Sequence, residues 1–165
     1  MARQREKSSI KKKKKNPKPL QLPYEVDMTA SAEAVYVDMA RKAKSAEAAG
    51  NYASAHCTAF NMVKEAIKQI IPYDPLNKKY ALRGDLSNIF RLRKGRMRIC
   101  WIASSRMGRV CVLFISETLR KEGDANDPYI IFQNLLASGV FDQVIAKYGV
   151  RNTTFPRITH TSKPN

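Results

Sequence analysis

The sequence predicts an α+β fold: an N-terminal helical hairpin packed on an antiparallel β-meander, with a closing C-terminal helix. Three observations predict it. Apolar residues recur at helical spacing up to Ile71 and at strand spacing beyond Asn88. Short glycine-containing links separate three consecutive strand-like runs. Asp127-Pro128 then opens a second helical stretch.

The first helix is expected over Ser31–Ala49, with Val35, Met39 and Ala43 along one stripe and Gly50-Asn51 at its end. A second is expected near Tyr52–Ile71, where Phe60, Val63, Ala66, Ile67, Ile70 and Ile71 form the stripe and Pro72 and Pro75 stop it. So short a connection makes the pair antiparallel. His56 has no ligand partner near it in sequence and reads as structural. Upstream, Leu20–Val26 could form a short edge strand, against which Pro23 counts.

The runs Asn88–Arg93, Met97–Ala103 and Arg109–Ser116 alternate in the manner of half-buried strands, linked by Lys94-Gly95 and Ser104–Gly108. Asp127 suits an N-cap and Pro128 the first helical position. Tyr129–Ala137 follows, Gly139 closes it, and Phe141–Tyr148 adds another turn or two.

A chain of 165 residues suits one domain with a real core. Three segments are expected: a basic disordered arm over 1–22, a folded domain over 23–150, and a flexible tail over 151–165. Residues 1–20 carry nine Lys or Arg against Glu6 alone, a density that resists collapse. Such an arm can grip RNA or a ribosome, but carries no sequence preference of its own.

Thirty Lys and Arg face 14 Asp and Glu, a net charge of +16. That surplus repels itself unless a polyanion or an acidic partner covers it. Nucleic acid comes first, since each neutralised phosphate releases counterions. Cys57, Cys100 and Cys111 have neither CxxC nor metal spacing and read as reduced thiols. No apolar stretch follows the early lysines, and Val110–Ile115 is too short to span a bilayer. The expected location is the cytoplasm, with no membrane partner.

The segment from Ile89 to Trp101 carries the chemistry. A two-residue turn at Lys94-Gly95 sets Arg93 opposite Arg96, Arg91 opposite Arg98, Leu92 opposite Met97 and Phe90 opposite Ile99. Phe90, Leu92, Met97, Ile99 and Trp101 then share one face, and Arg91, Arg93, Arg96 and Arg98 the other; a slip by one residue would mix them. Each pair of facing arginines costs up to about 1 kcal/mol. Phosphate binding gives such a cost a purpose, because guanidinium groups stay charged and grip phosphate oxygens bidentately.

RNA carries its own nucleophile, the 2′-hydroxyl, so cleavage needs in-line geometry and stabilisation of charge on phosphorus rather than a metal. Preorganised arginines supply that stabilisation. No metal and no cofactor are expected. Arginine is a poor base. Glu117, just after the third strand, is the candidate general base, and Tyr129 can donate, accept or stack on a base. Arg83, Lys94, Arg96 and Lys121 are expected to bind RNA around this centre.

Four segments also resemble a known family. They are Ile71–Pro75 with Tyr80–Gly84; Phe90–Arg93 with Arg96–Trp101; Thr118–Gly123 with Asn126–Phe132; and Leu135–Gly139. They are similar to the YhaV-type toxin family of type II toxin–antitoxin systems, within the RelE/ParE superfamily, over roughly residues 68–148. The resemblance implies a RelE-like fold and a ribosome-associated ribonuclease that cleaves mRNA. It also implies an acidic cognate antitoxin, PrlF-like or other, and operator DNA bound only as the toxin–antitoxin complex. Catalytic roles implied in this way fall on Arg91, Arg93, Arg98, Arg120 and Tyr129. The family's acidic run ahead of its Thr-Leu-Arg is reduced here to Glu117.

Two other functions share these features: a non-catalytic RNA- or ribosome-binding basic protein, and a ParE-like toxin that inhibits gyrase. Fold alone does not choose between them.

Overall fold

The computed structural model describes residues 23–116 and 127–149. The expected arm over 1–22, the tail over 151–165, and the candidates Glu117, Arg120 and Lys121 lie outside the described residues.

Strand β1 (Glu25–Met28) leads into helix α1 (Ala30–Ala48), which packs against α2 (Ala55–Glu65). Both helices are capped by hydroxyls, Thr29 accepting from the Ala32 amide at 3.2 Å and Ser54 from the Cys57 amide at 3.1 Å. α2 runs on through a π-type turn, Ala66–Ile70, and a 3-10 turn, Ile71–Tyr73, until Pro72 ends it. Strands β2 (Phe90–Lys94), β3 (Met97–Ser104) and β4 (Arg109–Ile115) form consecutive antiparallel pairs, and helices α3 (Pro128–Ala137) and α4 (Asp142–Lys147) follow. Asp127 caps α3 through a 2.8 Å bond from the Tyr129 amide, with Pro128 in the first turn.

The sheet order is β1-β4-β3-β2. The edge strand near Val26 starts at Glu25, runs to Met28, and pairs parallel to β4, so the sheet is mixed. Pro23 precedes it and therefore removes no ladder donor.

Two apolar clusters flank the sheet. Phe90, Leu92, Met97, Ile99, Trp101, Val110 and Val112 pack on Val63, Ala66, Ile67 and Ile71 from the helical hairpin. On the opposite face Cys100, Ile102, Cys111 and Leu113 pack on Phe132, Leu136, Phe141 and Ile145. The second and third runs do not alternate between a buried and an exposed face as expected. Every residue of β3 is buried, because α3 and α4 cover the face that was expected to stay polar.

The hairpin register also differs from the expected one. The turn residues are Gly95-Arg96, so Phe90 pairs with Trp101, Arg91 with Cys100, Leu92 with Ile99, Arg93 with Arg98 and Lys94 with Met97. Gly95 has φ +56° and, among the described residues, no non-glycine residue has a positive φ, which is the pattern of a type II′ turn with glycine first. A turn at Lys94-Gly95 would put lysine at that left-handed position. Because the shift is two residues, the strand residues keep their faces, but neither expected arginine pair forms: Arg96 moves into the turn and Arg93 faces Arg98 instead.

Candidate active site

Strand β2 is a sheet edge, and its outward positions carry Arg91 and Arg93. Arg91 is half-buried and Arg93 is exposed. The Arg91 guanidinium carbon stands 5.2 Å from the centre of the Tyr129 ring, in the first turn of α3. Helix and hairpin, far apart in sequence, thus present Arg91 and Tyr129 together.

Arg98 lies across from Arg93 and is only 5% exposed. Its Nη1 donates to the carbonyls of Gly95, at 2.9 Å, and Met97, at 2.8 Å. Its guanidinium therefore ties down the hairpin turn. The Arg98 backbone is held from the other side: its amide donates to Ser116 Oγ at 3.0 Å, and the Ser116 amide donates to its carbonyl at 2.9 Å.

The remaining basic candidates are more peripheral. Arg96 is exposed within the turn. Lys94 Nζ meets Glu65 at 3.1 Å in a partly exposed pair, a weak contact that phosphate can displace. Arg83 is exposed just before a 3-10 turn, Gly84–Leu86, and its neighbour Leu82 bonds through its amide to the Ile89 carbonyl at 2.9 Å.

Cys100 sits beneath this face, paired with Arg91. Burial pushes its thiol up to about 12, against a smaller downward pull from Arg91 and Arg98. At neutral pH it is a packed thiol and no nucleophile. Burial likewise raises Cys111 to about 11.

A groove of about 580 Å³ runs between α1 and α2, lined by Val35, Asp38, Met39, Lys42, His56 and Met97. None of the arginine candidates lines it. His56 is exposed there. Among the described residues no group of three or more His, Cys, Asp or Glu is placed to hold a metal ion, and no helix is long and apolar enough to cross a membrane.

Sequence reasoning named Arg91, Arg93, Arg98 and Tyr129, and the structure sets them around one hairpin and the start of α3. It missed the parts beneath them. Phe114 of β4 packs at 5.5 Å on Phe132 of α3, one turn beyond Tyr129, and Ser116 brackets Arg98. The signal for these was weak: an unbroken apolar run in β4 shows that both faces are covered, but not what covers them.

A family model described as a toxin with endonuclease activity, of a toxin–antitoxin system, matches residues 26–149, well over half of the chain. No curated protein matches the chain. Among solved structures, a chain of the toxin–antitoxin complex RelBE2 from Mycobacterium tuberculosis aligns at 19% identity and a TM-score of 0.43, covering 60% of this chain and 93% of that one. The chain belongs to the YhaV family of toxins with endonuclease activity.

Proposed function

We infer that this toxin cleaves mRNA, at the ribosome, and that an acidic antitoxin holds it inactive by covering its basic surface. One observation supports the reading above the others: Arg91 and Arg93 project from an edge strand, with Arg91 set against the Tyr129 ring and Arg98 fixing the turn beside them. The +16 net charge fits both a ribosomal target and an acidic partner. Operator DNA is bound only by the toxin–antitoxin complex.

The chemistry uses the RNA's own 2′-hydroxyl. Its oxygen attacks phosphorus, the 2′-O–P bond forms and the P–O5′ bond breaks. The 2′ proton passes to a base, the role we give Glu117, and a proton is delivered to the leaving 5′-oxygen. The products are a 2′,3′-cyclic phosphate and a 5′-hydroxyl. Arg91 and Arg93 hold the non-bridging oxygens as charge builds on them, while Tyr129 orients Arg91 through its ring face. Arg98 keeps the hairpin in shape, and Arg120 adds charge from beyond β4. Arg83, Lys94, Arg96 and Lys121 bind flanking phosphates.

The test is cleavage of a defined message by the purified full chain, with and without programmed ribosomes. The reading expects cuts on the ribosome-bound message, a cyclic phosphate at the new 3′ end, and loss of both in Arg91→Ala/Arg93→Ala. Tight ribosome binding with an intact message would instead make the chain a non-catalytic binder.

A further inference from the structure

Strand β4 contains a bulge that neither the charge pattern nor the family description touches. Trp101 pairs with Val112, but the next position, Cys100, pairs with Phe114, leaving Leu113 as the extra residue. The bulge turns Leu113 and Phe114 toward the same face, against α3, and returns Ile115 to the face of the helical hairpin, where it pairs with Ile99.

The extra residue is held from outside the sheet. The Thr29 hydroxyl donates to the buried Leu113 carbonyl at 3.0 Å, and the Thr29 amide donates to the Val112 carbonyl at 3.0 Å. The same hydroxyl oxygen accepts from the Ala32 amide at 3.2 Å, capping α1. It also lies 3.2 Å from the Ser31 hydroxyl. One side chain thus both starts the first helix and satisfies the bulge.

Two paths lead from the bulge to the candidate site. Phe114 packs on Phe132, which shares a face of α3 with Tyr129, the residue under Arg91. Ser116, two residues further along, makes both backbone-directed bonds to Arg98. Losing the bulge, so that Leu113 pairs with Cys100, would send Phe114 to the opposite face and set Ile115 instead of Ser116 beside Arg98.

We propose that Thr29 is a positioning residue for cleavage: by donating to Leu113 it fixes the β4 bulge that aligns Arg98 from one side and the Arg91–Tyr129 pair from the other. It touches neither RNA nor the arginines. The inference rests on the nuclease reading, because it concerns the efficiency of that reaction.

The test separates the two bonds that the hydroxyl makes. Thr29→Ser keeps both. Thr29→Asp still caps α1 but cannot donate to Leu113. Thr29→Ala loses both without adding a charge. Ser54→Ala removes the matching cap of α2, which has no bond to β4. In the ribosome-programmed assay with the full chain, Thr29→Asp and Thr29→Ala are expected to lower kcat by about tenfold or more with KM within about threefold, as misplaced catalytic groups do. Thr29→Ser restores kcat, and Ser54→Ala leaves it unchanged. Amide exchange at Phe114 to Ser116 speeds up in Thr29→Asp and Thr29→Ala alone, whether or not the RNA is cut.

Wild-type kcat in folded Thr29→Asp and Thr29→Ala, an equal loss in Ser54→Ala, or unchanged exchange in β4 would each overturn the proposal. A wild-type chain that cuts no RNA brings down the nuclease reading and this inference with it. Loss of the inference alone leaves wild-type cleavage intact.

Discussion

The Arg91 guanidinium carbon stands 5.2 Å from the centre of the Tyr129 ring. An arginine on an edge strand has several rotatable bonds, and an aromatic face beneath it removes some of that freedom before phosphate arrives. Two substitutions separate ring from hydroxyl. Tyr129→Phe keeps the face and is expected to retain cleavage within about threefold. Tyr129→Ala is expected to lose tenfold or more, approaching the loss of about 10²–10³ in kcat expected for Arg91→Ala. Single-turnover cleavage rates measure both.

Arg98 and Arg93 face each other, yet the structure predicts opposite costs of removing them. Arg98 is buried and donates to two turn carbonyls. Arg98→Ala is expected to destabilise the fold by about 1–3 kcal/mol as well as inactivate it. Arg93 is exposed, so Arg93→Ala is expected to stay within about 0.5 kcal/mol of the wild type while losing activity. Urea denaturation midpoints distinguish the two.

The hairpin turn offers a third check. Gly95 has φ +56°, and a Cβ built there meets nothing within 4 Å, so the cost of Gly95→Ala is backbone strain alone. It is expected to be about 1–2 kcal/mol. Asn at position 95 should recover part of it, since Asn visits this region more readily. Calorimetric melting of the three chains decides the order.

Asp27 predicts the pH response. It accepts from Arg109 Nε at 3.0 Å and Nη2 at 2.8 Å, and from the Tyr148 hydroxyl at 2.5 Å, fastening β1 and β4 to the end of α4. The Arg109 bond, then the Tyr148 bond, hold the Asp27 carboxyl below its usual 3.8. A depressed carboxylate lends stability that is complete above its unfolded value and lost as pH falls through the folded one. Burial, then the bond to Asp27, raises Tyr148 above its usual 10.0, so its share is complete below about pH 10 and fades as pH rises beyond that. Stability against pH should therefore fall below about pH 4 and above about pH 10, and Asp27→Asn should flatten the acid limb and only part of the alkaline one, since burial of Tyr148 remains. Unchanged limbs in Asp27→Asn would remove this clasp from the account.

Local signals made much of this fold legible. The helical stripes, the links between strands and the Asp127-Pro128 cap depend on neighbours within a few residues, and each element formed within a few residues of its expected bounds. The arginine face was legible too, since the two-residue difference in register preserves which residues share a side. The register itself was not. Lys94-Gly95 and Gly95-Arg96 both give two-residue turns, and the choice rests on where glycine's positive φ is needed. The parallel pairing of β1 with β4 and the covering of the second sheet face by α3 and α4 are long-range choices that no short window encodes. Burial of Arg98 follows from that covering. So does the contact of Arg91 with Tyr129, which a sequence spacing of 38 residues does not suggest.

The most direct measurement is to induce the chain in cells and map new RNA 5′ ends beside an Arg91→Ala/Arg93→Ala control of equal abundance. Arg98 is left intact because its loss would confuse folding with chemistry. The account predicts new 5′-hydroxyl ends within translated messages that vanish in the control. Growth arrest without new ends, or the same ends in the control, would contradict it.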